Sequence, residues 1–457
     1  MLFSGIPFLF YFLPPVIILY FLLPDRWKNG LLLLASLVFY AWGEPKYVVL
    51  MIFSILAYYL FGLAIEKSSR KKLWLTASIL TGAVLLGIFK YCDFFLDSFN
   101  RISGTSLPLL RLALPIGISF YTFQCMSYTI DVYRGDTRAQ RDLISFGAYV
   151  ALFPQLIAGP IVRYVDVEKE LRQRSHGWDN FLQGLPRFLM GLGKKVILAN
   201  NLGFLTELYR ASADQSVLFA WLYAIAFTLH IYFDFSGYSD MAIGLGRIFG
   251  FRFPENFDYP YISRSVTEFW RRWHKTLGGW FRDYVYIPLG GNRVSKARWI
   301  VNILAVWMLT GLWHGAAWNF VVWGLFFALL LIVEKWVPAI QALPGWLRHI
   351  YVLLAVTISF VIFNANSMAQ AGSDLAAMFG LAGLPLSSQA SLYYLRSYGP
   401  LLVFAILGAT PLPKLLLRWI PQQITEALQP VVLGLLLLIC TAYLVDGSFN
   451  PFLYFRF

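Results

Sequence analysis

The chain has 457 residues, of which 58% are hydrophobic and 13% are charged. A soluble domain is about half apolar and about a quarter charged, so this composition excludes an ordinary soluble protein and indicates that lipid covers much of the surface. The formal net charge of +13 fits a membrane protein, whose basic residues gather in cytoplasmic loops and face anionic lipids. Because the chain lacks the basic-and-aromatic modules of nucleic-acid-binding proteins, we expect membrane lipids and no nucleic acid as partners.

Apolar runs recur along the whole chain. A membrane-spanning helix needs about 20 mostly apolar residues, and by this measure the sequence predicts an all-α polytopic membrane protein with about ten to twelve transmembrane or re-entrant helices. Several runs are short or rich in Gly and Pro, which indicates broken or re-entrant helices. The predicted spans are Ile6–Leu23, Gly30–Trp42, Val48–Ile65, Leu73–Phe89, Leu114–Val132, Ile144–Val162, Val217–Phe235, Trp299–His314, Ala317–Trp336, Ile350–Phe363, Leu401–Leu412 and Val431–Val445.

Basic residues follow alternate predicted spans. Arg26 and Lys28 follow the first span, four basic residues between positions 67 and 72 follow the third, and three arginines between positions 134 and 141 follow the fifth. Since positively charged loops stay in the cytoplasm, the N-terminus is expected outside it.

We predict one membrane-embedded domain over residues 1–457. It consists of N-terminal spans (1–142), a core with interfacial helices (143–335), and C-terminal spans with an aromatic tail (336–457). Arg163–Leu208 mixes basic and apolar residues, as is typical of helices that lie at the membrane interface. Phe249–Arg298 is rich in aromatic residues, unlike a soluble linker, so it is expected to pack against the membrane domain or dip into it.

His314 lies where one predicted span ends and the next begins. Gly311 and Gly315 stand three residues before it and one residue after it, and they leave room for another chain or a ligand to approach. A partly buried imidazole, whose ordinary pKa is about 6.5, stays neutral at pH 7 and can accept a proton from a hydroxyl group. The alternative is a histidine that packs two helices together, and spacing alone leaves both interpretations open.

His274 follows a segment rich in Trp and Arg. If this segment is helical, Trp270, Arg271, His274 and Leu277 lie along one face. The neighbouring cations would keep the imidazole neutral and could pair with phosphate or carboxylate groups. The alternative, which the local sequence alone favours, is an interfacial anchor in which Trp and Arg lie among lipid headgroups.

Other polar residues in the apolar spans have simpler interpretations. Asp234 and Asp240 could carry protons or a cation, but pairing with Arg247 or Arg271 is the interpretation we favour. His230 is interpreted as a hydrogen-bonded structural histidine. The three cysteines have no paired spacing, and the chain has no GxSxG or phosphate-loop motif. No metal site and no bound cofactor are therefore predicted.

Blocks spread over nearly the whole chain form a recognisable set. They are Pro115–Gln124, Phe153–Arg163, Asp234–Ala242, Phe269–His274, Trp280–Gly291, Gly311–Gly315 and the aromatic tail Asn450–Phe457. Together they resemble the membrane-bound O-acyltransferase family. More narrowly, they resemble its bacterial branch of alginate O-acetyltransferase membrane subunits and related peptidoglycan and D-alanyl transfer proteins. The chain departs from the alginate-type pattern at Asn364–Ala365, where an Arg–Ala pair is expected.

The resemblance implies a fold and a location. It implies a multi-pass protein of the bacterial inner membrane, with a ring of tilted helices around a thin central region and funnels from both faces. The two family histidines correspond to His274 and His314, with His314 as the catalytic one. The resemblance also implies an acyl donor that arrives from the cytoplasm and an acceptor, or acceptor protein, outside. In the alginate branch, separate extracytoplasmic partners are thought to carry the acetyl group to the polysaccharide.

Residues and resemblance together predict direct acyl transfer. His314 would take the proton of the acceptor hydroxyl, whose oxygen attacks the thioester carbonyl, while His274 orients the donor or stabilises the oxyanion. The donor would be acetyl-CoA or another acyl thioester. The candidate substrate-binding residues are Arg271, Arg272, Arg282, Trp313 and Asp240, with the arginines placed for the donor's phosphates.

Two other classes of function compete with this hypothesis. A transporter or flippase would move an acyl group or a lipid-linked sugar without bond chemistry, by way of Asp234, Asp240 and the broken spans. A scaffold that recruits extracellular enzymes would fit the interfacial aromatic residues but leaves the histidine and arginine blocks unexplained. Within the enzyme hypothesis, alginate, another exopolysaccharide, peptidoglycan and teichoic acid all stay open as acceptors.

Overall fold

The structure is a computed structural model that describes residues 2–157, 159–447, 451 and 453. Over these residues the chain is helical and forms no β-strand, which confirms the predicted all-α class. Ala158 and most of the aromatic tail Asn450–Phe457 lie outside the described residues.

The helices are numbered here in chain order. The first are α1 (Pro7–Leu22), α2 (Asp25–Gly43), α3 (Val48–Lys67), α4 (Lys71–Ser103), α5 (Ile118–Arg134), α6 (Leu143–Ala151) and α7 (Phe153–Leu156). Next come α8 (Tyr164–Arg172), α9 (Trp178–Gly193), α10 (Asn200–Ala211), α11 (Val217–Ile248), α12 (Val266–Arg272) and α13 (Lys275–Phe281). The last are α14 (Lys296–His314), α15 (Trp318–Trp336), α16 (Pro338–Ala342), α17 (Gly345–Asn364), α18 (Met368–Met378), α19 (Gln389–Gly408), α20 (Leu412–Leu417) and α21 (Gln422–Val445). Lys194–Ala199 and Arg282–Tyr286 are π-helical, and Pro260–Ile262 is a 3₁₀ turn.

Within the described residues, seven helices are long and apolar enough to cross a bilayer. They are α3, α4, α11, α15, α17, α19 and α21. The chain is therefore polytopic, as predicted, although other predicted spans form helices that are shorter or less apolar. Ile144–Val162 is not one helix but divides at Leu152 into α6 and α7, because Pro154 in the first turn of α7 has no N–H to continue the earlier helix. Conversely, α11 continues beyond the predicted end at Phe235 to Ile248.

The chain folds as two compact units. The first consists of Met1–Phe188 and Tyr238–Glu255, and the second of Leu189–Gly237 and Asn256–Phe457. These boundaries differ from the three-part division made from the sequence, which stays a prediction.

In the first unit, close helix contacts depend on glycine. Gly62 of α3 faces the phenol ring of Tyr128 on α5, and a Cβ atom at this position would overlap that ring. Two of the recognisable blocks also meet in this unit. A Cβ atom on Gly117 would lie 2.8 Å from the carbonyl oxygen of Leu156. Because Gly117 also has φ 75°, both its backbone conformation and its surroundings require glycine.

In the second unit, α14 and α15 form a closely packed antiparallel pair joined by the short turn at residues 315–317. Aromatic side chains fill the space beside them. Trp270 packs edge-on against Trp307 and Phe327, with ring centroids 4.6 and 4.8 Å away. This unit contains both histidines that the sequence singled out.

The two unusual segments of the sequence contain short helices joined by turns and loops. Arg163–Leu208 forms α8, α9 and most of α10, and its placement at the membrane interface stays a prediction. Phe249–Arg298 contains α12 and α13, and its aromatic residues Phe269, Trp273 and Trp280 are buried. Part of the segment therefore packs into the interior, as its aromatic composition indicates.

Candidate active site

His314 is the last residue of α14, directly before the turn into α15. Its side chain is 7% exposed. The nearby glycines leave room for a close approach, as expected, and the segment that approaches is helix α15 of the same polypeptide. A Cβ atom at Gly311 would overlap the backbone carbonyl of Phe320, and one at Gly315 would overlap the Phe320 ring. The glycines thus let two helices touch and fix the end of α14, and with it His314.

His274 lies between two helices, not within one. α12 ends at Arg272 and α13 begins at Lys275, while His274 itself has φ 42° in the left-handed region. The segment is therefore not one helix, and the shared face that a continuous helix would give Trp270, His274 and Leu277 does not form. The physical reason is competition for backbone hydrogen bonds. The N–H of Lys275 donates to the carbonyl oxygen of Asn256 (2.9 Å), which a continuous helix would not allow.

The start of α12 is fixed by a buried carboxylate. Glu334 of α15 is 5% exposed and accepts hydrogen bonds from the backbone N–H groups of Val266 (2.5 Å) and Thr267 (3.2 Å). Ser265 caps the same helix by accepting from the N–H of Glu268 (2.9 Å). A negative charge is favourable at a helix N-terminus, where N–H groups lack partners in the helix. Glu334 therefore connects α15, which packs against His314, to α12, which leads to His274.

Both imidazoles contact the ring of Trp313. The centroid of the Trp313 ring is 5.8 Å from that of His274 and 5.0 Å from that of His314. Phe235 meets His274 edge-on at 4.6 Å, and Trp323 meets His314 edge-on at 5.0 Å. The structure thus brings together the two predicted catalytic histidines and the predicted binding residue Trp313 in one aromatic environment.

His274 is 1% exposed and lies in a connecting segment outside the candidate membrane-spanning helices. Burial lowers its pKa well below the ordinary value near 6.5, because the cation loses its hydration, and nearby His314 lowers the pKa further. His274 is therefore neutral at physiological pH. Its Nδ1 atom lies 3.1 Å from Oδ1 of Asn256, a residue that the sequence analysis did not single out.

A small cavity adjoins His314. Most of its wall is aromatic or aliphatic, and its polar side chains are His314 and Asp234. Its lining residues are Ile231, Asp234, Phe235, Trp273, His314, Trp323, Phe360, Phe363 and Leu453. An apolar wall with few polar groups is typical of a small-molecule site, and it suits an acyl group placed beside a base.

Asp234 is paired, as favoured from the sequence, but not with the predicted arginines. Its Oδ1 atom lies 2.5 Å from Nζ of Lys195, and its Oδ2 atom accepts from the N–H of Leu453 (3.1 Å). The sequence signal for Lys195 is a cation followed directly by the apolar run Val196–Leu198. Such a charge at a buried position needs a partner.

Asp240 belongs to the first unit. Its Oδ1 atom accepts from Arg187 (2.9 Å), and Arg187 also forms a two-point pair with Glu255. Asp240 is therefore paired, as favoured from the sequence, but its partner is Arg187 and not the predicted Arg247 or Arg271. Its proposed contact with substrate stays a prediction.

The three candidate phosphate-binding arginines differ in their surroundings. Arg271 is exposed. Arg272 binds Glu268 (3.0 Å) and Asp258 (3.3 Å), and the exposed Arg282 binds Asp283 (2.7 Å). Each of the last two would have to exchange or share a carboxylate partner in order to bind a phosphate. Within the described residues, no three His, Cys, Asp or Glu side chains are grouped as metal ligands.

Comparison with known proteins relates this site to a family. The sequence model of the membrane-bound O-acyltransferase family matches residues 136–369, which include both histidines. The chain is 44% identical over 421 residues to the probable alginate O-acetylase AlgI of Azotobacter vinelandii, covering 89% of this chain and 84% of that protein. It is 39% identical to the AlgI protein of Pseudomonas putida over 100% of both chains, and 34% identical to the peptidoglycan O-acetyltransferase of Helicobacter pylori over 91% of this chain and 87% of that protein. The chain therefore belongs to the membrane-bound O-acyltransferase family, and it is a multi-pass membrane O-acyltransferase.

Proposed function

We propose that this protein takes an acetyl group from a cytoplasmic thioester, acetyl-CoA or an acyl-carrier protein, and provides it for O-acetylation of an extracytoplasmic polysaccharide such as alginate. Its location would be the bacterial inner membrane, with the N-terminus outside the cytoplasm, and extracytoplasmic proteins would complete the transfer. The observation that carries the proposal is the pair of buried histidines that both contact Trp313, with His314 lining an apolar cavity. The 39–44% identity to alginate O-acetylases supports the choice of acceptor.

The proposed chemistry needs a base and a confined acyl group. His314 takes the proton of the acceptor hydroxyl, the oxygen forms a bond to the thioester carbonyl carbon, the C–S bond breaks, and the thiol leaves with a proton. Burial beside aromatic rings keeps water from competing for the acyl group. Arg271, Arg272 and Arg282 are proposed to bind the donor's phosphates, and Trp313 to form a wall of the site.

The test is O-acetylation in cells that lack the native gene. His314→Ala should reach the membrane in normal amounts yet abolish O-acetylation, while His176→Ala, which removes a histidine paired with Asp25, should act like wild type. Mass spectrometry of alginate, peptidoglycan and teichoic acid from the same cells identifies the acceptor. Normal O-acetylation by His314→Ala would overturn the proposal.

The transport alternative depends on Asp234 and Asp240. Both carboxylates are engaged in ion pairs, with Lys195 and Arg187, as expected for structural groups. Since the family is one of acyltransferases, acyl transfer is the function that we propose. Within that class, the peptidoglycan O-acetyltransferase relative keeps peptidoglycan as the main alternative acceptor.

A further inference from the structure

The loop before α12 holds the backbone of His274. The N–H of Asp258 donates to the carbonyl oxygen of Arg272 (2.9 Å), and the N–H of Lys275 donates to the carbonyl oxygen of Asn256 (2.9 Å). These hydrogen bonds lie on either side of His274 and accompany its unusual φ of 42°. A non-glycine residue keeps this conformation only where its surroundings enforce it. The imidazole is therefore presented in one direction by the loop at residues 256–258.

The side chain of Asn256 continues this arrangement. Asn256 is 0% exposed, and its Oδ1 atom lies 3.3 Å from the backbone nitrogen of Thr276, 2.9 Å from Oγ1 of Thr276 and 3.1 Å from Nδ1 of His274. The backbone N–H of Thr276 can only donate, so the amide atom that faces it must be the oxygen. With the amide reversed, two donors would face each other.

The orientation of Asn256 decides the position of a proton. Because the same oxygen also faces Nδ1 of His274, Nδ1 must carry the hydrogen and donate it. In a neutral imidazole, the lone pair is then on Nε2. Nε2 of His274 is buried and has no hydrogen-bond partner among the residues that the structure describes. A buried acceptor of this kind is ready for a donor that a substrate would bring.

We propose that Asn256 is a positioning residue, which holds His274 in the tautomer with hydrogen on Nδ1 so that Nε2 accepts a hydrogen bond from the hydroxyl group of the acyl acceptor. The substrate part of this inference rests on the proposed function, whereas the tautomer does not. A neutral His274 in this tautomer cannot donate from Nε2 to an oxyanion. In this proposal, His274 orients the acceptor hydroxyl toward the base His314. This role replaces the stabilisation of the oxyanion that was predicted from the sequence.

The groups around His274 favour its neutral form. His314 is the titratable group that acts on the His274 ring, and both histidines contact Trp313. On α12, Arg272 is paired with Glu268 and Asp258, and on α13, Lys275 is exposed. Asn256 contributes no charge, so replacing it by aspartate would add a carboxylate opposite Nδ1 and stabilise the imidazolium.

The test is nitrogen NMR of the full-length protein in lipid nanodiscs, labelled with ¹⁵N-histidine. The His274 signals are identified by their loss in His274→Gln. We expect Nδ1 with a hydrogen and Nε2 without one in the wild type, and a mixture of tautomers in Asn256→Leu. The same variant should lower kcat for acyl transfer by about 10–100-fold with little change in KM for the thioester. Asn256→Asp should keep the hydrogen on Nδ1. It should also move the acidic limb of the plot of rate against pH to higher pH by about one unit.

Asn302→Leu is the matched control. Asn302 is likewise buried, at 1% exposed, but its amide donates to the carbonyl oxygens of Leu289 and Gly291, so its loss should leave the His274 signals unchanged. A hydrogen on Nε2 in the wild type would overturn the proposal, and so would equal effects of Asn256→Leu and Asn302→Leu on the His274 signals. The spectra need no substrate. Full activity of His314→Ala would therefore refute the proposed function and leave the tautomer of His274 unaffected. A hydrogen on Nε2 would refute the tautomer and leave the proposed function unaffected.

Discussion

Lys195 and Asp234 form an ion pair in which each side chain is only 1% exposed. The same two residues hold the described part of the C-terminal segment. Lys195 Nζ donates to the carbonyl oxygen of Pro451, and the N–H of Leu453 donates to Asp234 Oδ2 (3.1 Å). Because Leu453 and Asp234 both line the cavity beside His314, the ion pair determines the shape of part of the proposed acyl site.

Removing one member of this pair should destabilise the protein strongly. Asp234→Leu leaves the Lys195 ammonium buried without its countercharge, which costs about 3–5 kcal/mol. Lys195→Met combined with Asp234→Leu should recover much of that loss, because no buried charge remains. Thermal unfolding of the purified variants in detergent measures both effects. A single variant as stable as wild type would show that the ion pair does not hold this region.

The contact between α14 and α15 should not tolerate a methyl group. Gly311→Ala would push the new Cβ atom into the backbone carbonyl of Phe320, which cannot move as a side-chain tip could. We expect a loss of about 1–3 kcal/mol in unfolding free energy and reduced acyl transfer, because His314 ends this helix. Gly372→Ala on α18 is the control, since no atom lies within 4 Å of its added Cβ. Equal melting temperatures for the two variants would contradict this account.

Glu334 should affect catalysis from a distance. Glu334→Leu removes the acceptor for the N–H groups of Val266 and Thr267 and should cost about 1–2 kcal/mol, as the loss of a helix cap does. Because α12 leads directly to His274, kcat should fall as well. Glu207→Leu replaces an exposed glutamate and should change stability by less than about 0.5 kcal/mol. Steady-state kinetics and thermal unfolding of both variants test this, and unchanged kcat in Glu334→Leu would contradict it.

Asn364 stands where an arginine is expected from the resemblance to the alginate-type branch, and in this structure Arg210 supplies a cation nearby. Arg210 donates to Tyr223 Oη and to Asp374 Oδ1 (2.6 Å each), and Asn364 donates to the same Tyr223 oxygen (2.9 Å). Asn364→Arg would place a second guanidinium beside the first and should lower stability by about 1–3 kcal/mol.

The control for this prediction is a second change at the same site. Arg210→Gln combined with Asn364→Arg again leaves one cation near Asp374 and should be more stable than Asn364→Arg alone. Thermal unfolding of the three proteins measures the difference. If the double variant shows no recovery, repulsion between the two guanidinium groups is not the cause.

Some features could be read from the sequence because they depend on composition and local pattern. The polytopic all-α class follows from long apolar runs, since only segments without exposed backbone polar groups can lie in lipid. The turn at His314 was located because Gly315 and the following residues separate two apolar runs. The resemblance of the chain to a family also singled out His274, whereas the break between two helices at this residue was not predicted.

The tertiary structure decided what the polar residues contact. Lys195, Arg187 and Glu334 find their partners 39, 53 and 68 positions away in the chain, and periodicity carries no information about such pairs. The left-handed conformation of His274 likewise depends on hydrogen bonds with residues 256–258, not on its neighbours in sequence. The sequence alone determined that this is a membrane protein with two candidate catalytic histidines. Only the packed chain, by burying those histidines around Trp313 and orienting one with Asn256, decided which atoms could meet a substrate.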